Sequence, residues 1–254
     1  MDENYRVTLA HAVGSEEGTK NGKPGDQTGK EVRIAEWYIS GEKDGKKWDY
    51  VIRSTKKAKR KKIAENAEAG ARNANLGYSQ SDRYSAYDIL KTSGFDYTKL
   101  TKPANTDCSQ MATTNANYAG YPIPRDTYTG NMKERYKAVG GFKFHSSKKY
   151  TADYKKLIPG DILLRVGHHA ATVINNVYWL KTTIKKSNST GRKEDVKALQ
   201  ARLNELDKAN LETDGIWGSL TEAAVRKFQN DNGLAIDGIV GQKTAVALGF
   251  VFGS

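Results

Sequence analysis

One eight-residue pattern occurs twice near the carboxyl end of the chain and constrains how that end can fold. The two segments are DGIWGSLT at 214–221 and DGIVGQKT at 237–244, which share Asp-Gly-Ile-x-Gly-x-x-Thr and begin 23 residues apart. An Asp-Gly pair favours a tight turn, and a Thr shortly after a Gly is typical of a helix start. Turn and cap residues repeated at so short an interval predict a small helical bundle.

Apolar residues at helical spacing predict three helices in this part of the chain. The first covers the series VKALQARLNEL at 196–206, and the second runs from about Leu220 to Asp231. A third, short helix is expected over QKTAVAL at 242–248. Because the segment contains neither His nor Cys, we expect it to bind a partner rather than to catalyse a reaction.

Residues 194–250 resemble the type-one peptidoglycan-binding domain through DVKALQARLN, DGIWG, TEAAVRKFQ and DGIVGQKT. The resemblance implies a three-helix domain over 194–254 that holds bacterial peptidoglycan in a shallow groove. It also implies substrate contacts near the repeated turns, with Trp217 as a binding residue. A large aromatic side chain at this position could equally belong to the core.

The segment TTIKKSNSTGRK at 182–193 is polar, basic and poor in apolar residues. This composition is typical of a linker. Residues 1–181 are then expected to form one further domain, which is long enough to bury a substantial core.

Basic residues are concentrated before the carboxyl-terminal module. Of the 41 basic and 29 acidic residues in the chain, residues 194–254 hold six and nine, so the first 193 residues hold 35 and 20, a balance of +15. Such a surface attracts polyanions, including anionic wall polymers. The densest run, KKAKRKK at 56–62, could equally be a solvated helix face. No nucleic-acid-binding motif is found, so no nucleic-acid partner is expected.

The amino-terminal residues MDENYRVTLAHAV lack a basic segment followed by an apolar run, so we expect no Sec signal peptide. No stretch of the sequence reaches the apolar length of a membrane span. We expect a monomer that is made in the bacterial cytoplasm.

The only cysteine, Cys108, lies in TDCSQMATTNANYAG at 106–120. The spacing of small and apolar residues predicts a helix here, with Thr106 or Asp107 as its cap. Cys108 would then occupy the first turn, where unpaired N–H groups and the helix dipole favour a thiolate. The alternative is a small buried apolar residue, which is the usual role of a lone Cys.

A nucleophilic thiol needs a base, and the chain offers four: His11, His145, His168 and His169. The last two follow the predicted strand DILLRV. The segments HHAATVI and VYWLK after it are predicted as a hairpin that turns at Asn175-Asn176. No further His and no Asp or Glu stands at zinc-like spacing around the His pair, so neither a metal nor a cofactor is expected.

The order of Asp107-Cys108-Ser109, PGDILL and GHHAATVI is similar to that of cysteine peptidases and amidases of the CHAP and NlpC type. The resemblance implies an α+β, papain-like fold in which a helix carrying the Cys packs on an antiparallel sheet. It implies Cys108 as nucleophile and His169 as base, with His168 as an inserted neighbour that contacts substrate. It further implies that Asp107 and Ser109 line the pocket for the amino end of the stem peptide.

Two other positions bear on this site. Gln27, in GDQTG, could donate to an oxyanion, or it could be a polar residue of a Gly-rich turn. In the resembling enzymes a third polar residue on the strand after the base orients the imidazole. The counterpart here falls near Lys181–Thr182, and neither residue suits that role, so the sequence leaves the third member unassigned.

Taken together, these features predict a phage-type endolysin. Its Cys–His site would cleave an amide bond of the wall peptide, as an N-acetylmuramoyl-L-alanine amidase or an endopeptidase, and the carboxyl-terminal module would target peptidoglycan. It would reach the wall through holin-type pores or on lysis. Two alternatives stay open: a non-catalytic wall-binding protein and a thiol acyltransferase of the same superfamily.

Overall fold

The computed structural model describes residues 5–38 and 47–252. Its strands are β1 Tyr5–Ala12, β2 Val32–Glu36, β3 Tyr50–Ser54, β4 Leu76–Tyr78, β5 Ala104–Thr106, β6 Phe142–His145, β7 Asp161–Arg165, β8 His169–Leu180 and β9 Val251–Phe252. Its α-helices are α1 Lys57–Ala71, α2 Ser85–Lys91, α3 Cys108–Tyr118, α4 Met132–Val139, α5 Lys148–Thr151, α6 Lys193–Asp207, α7 Ser219–Asp231 and α8 Gln242–Ala247. Among the described residues, none of these helices has both the length and the apolarity needed to cross a bilayer.

The chain divides into a larger unit, Val7–Asn176, and a smaller unit built mainly from the residues after it. The larger unit is organised on a sheet with the strand order β2-β1-β8-β7-β3-β6. The pairs β1–β2, β7–β8, β3–β7 and β3–β6 are antiparallel. The larger unit is therefore a mixed arrangement of helices and a mainly antiparallel sheet.

Helix α3 packs on this sheet through its small side chains. Cys108, Ala112 and Ala116 share one buried cluster with Ile162 and Ala170 of β7 and β8. Strand β7 lies within the predicted strand DILLRV, and it is buried along nearly its whole length. A short continuous apolar run of this kind is typical of a strand covered on both faces. The small side chains of α3 let its backbone approach the sheet closely, which positions the first turn of the helix beside β8.

The predicted hairpin at Asn175-Asn176 is wrong, because β8 continues as one strand from His169 to Leu180. The first residues of β8 pair with β7, and its last residues pair with β9. These successive partners supply ladder hydrogen bonds to both ends of the strand, and this outweighs the local turn preference of two asparagines.

The smaller unit contains the three predicted helices, which are confirmed as α6, α7 and α8. Their apolar faces form one core, whose buried members include Val196, Leu199, Leu203, Val225 and Phe228. The Asp-Gly turns of the repeat connect these helices, as the pattern predicts. The carboxyl-terminal module is thus a helical bundle.

The structure differs from the predicted linker at 182–193, which packs into the smaller unit. Ile184 is 1% exposed and pairs with Val240 through backbone hydrogen bonds of 3.2 and 2.9 Å. The Arg192 guanidinium donates to the Thr183 carbonyl at 2.8 Å. A single apolar residue within a polar segment is enough to anchor it when it meets an existing core.

Candidate active site

Helix α3 begins at Cys108 because Asp107 caps it. Asp107 has extended backbone angles, and its carboxylate accepts a hydrogen bond from the backbone N–H of Gln110 at 2.7 Å. Capping of this kind satisfies one of the N–H groups that a helix start leaves unpaired. The predicted helix and its cap are confirmed, and Cys108 is the first residue of the first turn.

Asp107 is also held by two side chains that the sequence did not indicate as a group. The Arg83 guanidinium forms an ion pair with Asp107 at 3.0 Å, and the Ser109 hydroxyl donates to the same carboxylate at 2.7 Å. Arg83 additionally donates to the Thr127 carbonyl at 2.7 Å. Asp107 and Ser109 are buried. Their polar atoms therefore fix the position of the helix that begins at Cys108.

The Cys108 side chain is 9% exposed. Burial, and then the nearby Asp107 carboxylate, raise the pKa of its thiol to about 12. Hydrogen bonds from the backbone N–H groups of Ala170 and Ser109 act in the opposite direction, as does the charge of Arg83. At neutral pH the group is therefore a thiol, and it needs a base to become a nucleophile.

His169 begins β8, directly before the residue whose N–H reaches the Cys108 thiol. The imidazole is half-buried, and burial lowers the pKa of His169 to about 4. Because the charged form is the one disfavoured, His169 is neutral at pH 7 and can accept a proton. Cys108 and His169 thus lie on adjacent elements, α3 and β8, with both side chains uncharged at pH 7.

A second histidine, His11, contacts His169. Its Nδ1 lies 3.1 Å from His169 Nε2, and its side chain is 2% exposed. Burial, followed by repulsion from His169 and Arg33, lowers the pKa of His11 to about 3. His11 is carried by β1, the strand next to β8 in the sheet. A neutral imidazole is therefore held against Nε2 of the candidate base.

Tyr38 and Trp48 enclose this pair of histidines. The Tyr38 hydroxyl lies 2.9 Å from His11 Nδ1, and the Trp48 indole N–H donates to the Tyr38 carbonyl at 2.9 Å. The Trp48 ring lies 6.0 Å from the ring of His169. Burial, and then the nearby Cys108 when it is in its thiolate form, raise the pKa of Tyr38, so the hydroxyl keeps its proton at pH 7.

Sequence reasoning assigned no role to His11 or Tyr38. The contact between His11 and His169 joins residues 158 positions apart, so no local spacing reveals it. One signal was present: His11 lies within an otherwise apolar stretch of the strand YRVTLAHA, where a histidine must be buried. A buried polar side chain needs a partner.

Three other predicted site residues, His168, Gln27 and Trp217, take no part in these contacts. His168 is exposed, and its backbone N–H donates to the Arg165 carbonyl in the turn before β8. Gln27 is exposed, and its amide donates to the carbonyls of Pro24 at 2.9 Å and Gly25 at 2.7 Å, so it closes its own turn.

Trp217 belongs to the smaller unit, where it is 5% exposed and packs in the core. Its buried indole N–H has no hydrogen-bond partner among the described residues. In residues 5–38 and 47–252, no cluster of three His, Cys, Asp or Glu side chains could hold a metal ion.

Two curated proteins share short segments with this chain. An autolytic lysozyme of Clostridium acetobutylicum is 47% identical over 62 residues, which is 24% of this chain and 19% of that protein. A spore cortex-lytic enzyme of Oceanobacillus iheyensis is 49% identical over 51 residues, which is 20% of this chain and 18% of that protein. The chain therefore spans about a fifth of the length of these relatives. No solved structure matches it.

Two family models match the chain in separate segments. The model described as a putative peptidoglycan binding domain matches residues 192–248, which lie within the smaller unit. The model described as an endolysin-like domain matches residues 9–178. This match includes β1 with His11, α3 with Cys108 and the start of β8 with His169, and it extends over more than half of the sequence. The chain therefore belongs to the endolysin-like domain family, with a peptidoglycan-binding domain at its carboxyl end.

Proposed function

We propose that this protein is a peptidoglycan hydrolase that cleaves an amide bond of the wall peptide through Cys108 and His169. The observation that carries the proposal is the position of the thiol at the Ala170 N–H, directly after a histidine that is itself held by His11. A nucleophile, a base and a group that orients the base are what covalent acyl transfer requires. The names of the matched families and relatives agree with an enzyme that lyses cell walls.

His169 takes the thiol proton in this mechanism. Its low pKa keeps it neutral at pH 7, and the low pKa of His11 keeps that imidazole neutral as well. In the tautomer that the reaction needs, His169 Nε2–H donates to His11 Nδ1, and His169 Nδ1 accepts the proton. His11 is then a positioning residue that fixes the ring and stabilises the imidazolium that forms.

The Cys108 sulfur attacks the amide carbonyl, so a C–S bond forms while the C–N bond breaks. His169 returns its proton to the leaving amine, and water then hydrolyses the thioester and regenerates the thiol. Backbone N–H groups at the start of α3 stabilise the oxyanion in this mechanism. Because thiol and imidazole are both neutral before substrate binds, the ion pair forms only during the reaction.

Asp107 and Ser109 have their polar atoms bound to each other and to Arg83. This favours a positioning role for both side chains over direct contact with the stem peptide. Gln27 and His168 are exposed, so they remain candidates for contact with substrate rather than for catalysis.

The proposal includes the finer features that the resemblance implies. These are a papain-like CHAP or NlpC-type catalytic domain, a phage origin and release to the wall through holin-type pores or on lysis. The smaller unit tethers the enzyme and so raises the local concentration of substrate. A thiol acyltransferase would share the same Cys–His geometry, but a wall-binding module supports hydrolysis at the wall.

Incubation of the full chain with a panel of purified peptidoglycans tests the proposal. We expect turbidity to fall and mass spectrometry to identify soluble fragments with a new amine end, which names the bond. The Cys108→Ala variant should release no such fragments yet still sediment with the wall. Equal release by both proteins would refute the Cys mechanism, and new reducing sugar ends would indicate a glycosidase instead.

A further inference from the structure

Two side chains converge on one nitrogen of His11. The Tyr38 hydroxyl lies 2.9 Å from His11 Nδ1, and His169 Nε2 lies 3.1 Å from the same atom. The other ring nitrogen of His11, Nε2, is buried and has no hydrogen-bond partner among the described residues. The position of the single proton on a neutral His11 ring therefore decides which of these groups are hydrogen-bonded together.

The surroundings restrict this choice to neutral forms. Burial, and then the neighbouring His169 and the charge of Arg33, lower the pKa of His11 to about 3. Burial also raises the pKa of Tyr38. At pH 7 the His11 ring therefore carries one proton, on Nδ1 or on Nε2, and the Tyr38 hydroxyl carries its own. Because His11 is only 2% exposed, its ring nitrogens depend on protein partners.

A proton on Nε2 lets His11 satisfy both of its neighbours. The bare Nδ1 then accepts from the Tyr38 hydroxyl and from His169 Nε2–H, and only the His11 Nε2–H is left without a partner. With the proton on Nδ1, His11 donates to His169 Nε2 instead. The Tyr38 hydroxyl then loses the acceptor that it has among the described residues, and His11 Nε2 has no donor. Each unmade buried hydrogen bond costs free energy, so the form with the proton on Nε2 is favoured.

The two forms of His11 set opposite tautomers on His169. When His11 Nδ1 is bare, His169 carries its proton on Nε2 and presents a bare Nδ1 that can take the thiol proton. When His11 Nδ1 is protonated, His169 Nε2 must accept, so the His169 proton moves to Nδ1 and the base is blocked. We propose that Tyr38 is a positioning residue whose hydroxyl, by donating to His11 Nδ1, selects the tautomer in which His169 acts as a base. This inference rests on the proposed function and adds a residue to it.

Tyr38 is held in place by contacts that do not involve its hydroxyl. The Trp48 indole N–H donates to the Tyr38 carbonyl at 2.9 Å. The Tyr38 ring lies 5.7 Å from the ring of Trp48 and 5.5 Å from the ring of His11. The Tyr38→Phe variant therefore removes the hydroxyl and keeps these contacts. It leaves one unpaired group in each form of His11, so neither form is favoured any longer by the number of hydrogen bonds.

Nitrogen NMR of the imidazole rings tests the proposal on the full chain without substrate, because protonated and bare ring nitrogens have well-separated chemical shifts. The chain has four histidines to assign. At pH 7 we expect a bare Nδ1 and a protonated Nε2 on both His11 and His169. In Tyr38→Phe the averaged shifts of both Nδ1 atoms should move toward the protonated value. A protonated His11 Nδ1 in the parent, or an unchanged pattern in the variant, would overturn the proposal.

Kinetics provide a second measurement. The rate depends on the fraction of molecules with a bare His169 Nδ1, so Tyr38→Phe should lower kcat about two- to tenfold and leave KM unchanged. The matched control is Tyr121→Phe, which removes another buried hydroxyl of the same unit, bonded to the Ser54 hydroxyl at 2.6 Å. This control should keep the parent's kcat and nitrogen shifts. Equal changes in both variants would reduce the effect to the loss of a buried hydroxyl and would overturn the proposal.

A different role for the same hydroxyl has its own signature. A fall in kcat of about 10²-fold or more with unchanged tautomers would make Tyr38 a donor to the oxyanion instead. If Tyr38→Phe did not fold, as judged by circular dichroism, the parent's nitrogen shifts would still decide between the two forms of His11.

The two measurements also separate this inference from the proposed function. The expected nitrogen shifts in a protein that releases no peptidoglycan fragments would refute hydrolysis and keep the assignment of tautomers. Normal hydrolysis with nitrogen shifts that do not respond to Tyr38→Phe would refute the role of Tyr38 alone.

Discussion

The contacts inside the smaller unit join residues that are close in sequence, whereas those inside the candidate active site join residues that are far apart. In the smaller unit, the Gln200 amide donates to Asp214 at 2.8 Å and to the Ile216 carbonyl at 3.0 Å, and it accepts from the Gly215 N–H at 2.9 Å. These partners lie 14 to 16 positions along the chain. The contact between His11 and His169 joins residues 158 positions apart.

The second copy of the repeat is locked in the same way. The Gln229 amide donates to Asp237 and to the Ile239 carbonyl, both at 2.9 Å, and it accepts from the Gly238 N–H at 2.9 Å. A glutamine from the preceding helix therefore closes each Asp-Gly turn. The repeat is visible in sequence because each copy builds its own contacts, whereas the candidate active site has no local pattern of this kind.

The largest expected effect separates two adjacent histidines. His169→Ala should lower the rate of peptidoglycan cleavage about 10²- to 10⁴-fold, the range for loss of a general base. His168→Ala, at an exposed neighbour, should change the rate only a few-fold. Steady-state release of amine ends measures both rates. If His168→Ala lowered the rate more than His169→Ala, His168 would be the base, and the proposed role of His11 would be wrong.

The next effect tests whether the distant partner contributes to catalysis. His11→Ala should lower kcat about 10- to 100-fold, since residues that hydrogen-bond a functional imidazole and fix its orientation have effects of this size. The wild-type rate should fall as the pH drops through the His169 pKa of about 4, because protonation there removes the base. In the His11→Ala variant the pH at which this fall in rate occurs should change. The His11→Gln variant, which keeps a polar side chain, should restore part of kcat. If the His11→Ala variant had a lower Tm but its rate fell at the same pH as in the wild type, the role of His11 would be purely structural.

Alkylation of the free enzyme tests the state of the thiol. Because burial raises the pKa of Cys108 to about 12, labelling by iodoacetamide should be slow at pH 7 and rise about tenfold per pH unit up to pH 9. Mass spectrometry at each pH measures the rate. Fast labelling that is independent of pH between 6 and 9 would mean a preformed thiolate and contradict the neutral pair.

The smallest expected effect concerns the two locked turns. Gln200→Ala and Gln229→Ala should each destabilise the smaller unit by about 1–3 kcal/mol, because each removes three hydrogen bonds that hold a partly buried turn. Urea unfolding of the two variants measures the costs, which should be similar since the hydrogen-bond sets match. A large difference between them would show that the repeat is symmetrical in sequence but not in energy.

The sequence alone determined the features that depend on neighbours along the chain. Asp107 caps α3 as its position predicts, and the three helices of the smaller unit occur where the apolar spacing places them. Caps, turns and amphipathic faces are set by residues within a few positions of one another. The start of α3 at Cys108 could therefore be read directly.

Only the tertiary structure decided the features that depend on distant partners. Asn175 lies within a continuous strand because β7 and β9 pair with the two ends of β8. Ile184, in the segment predicted as a linker, is buried because it packs in the core of the smaller unit. His11 meets His169 because the sheet places β1 beside β8. Each of these outcomes is a competition between a local preference and the burial or hydrogen bonds supplied from elsewhere, and the distant partner stabilises the chain more.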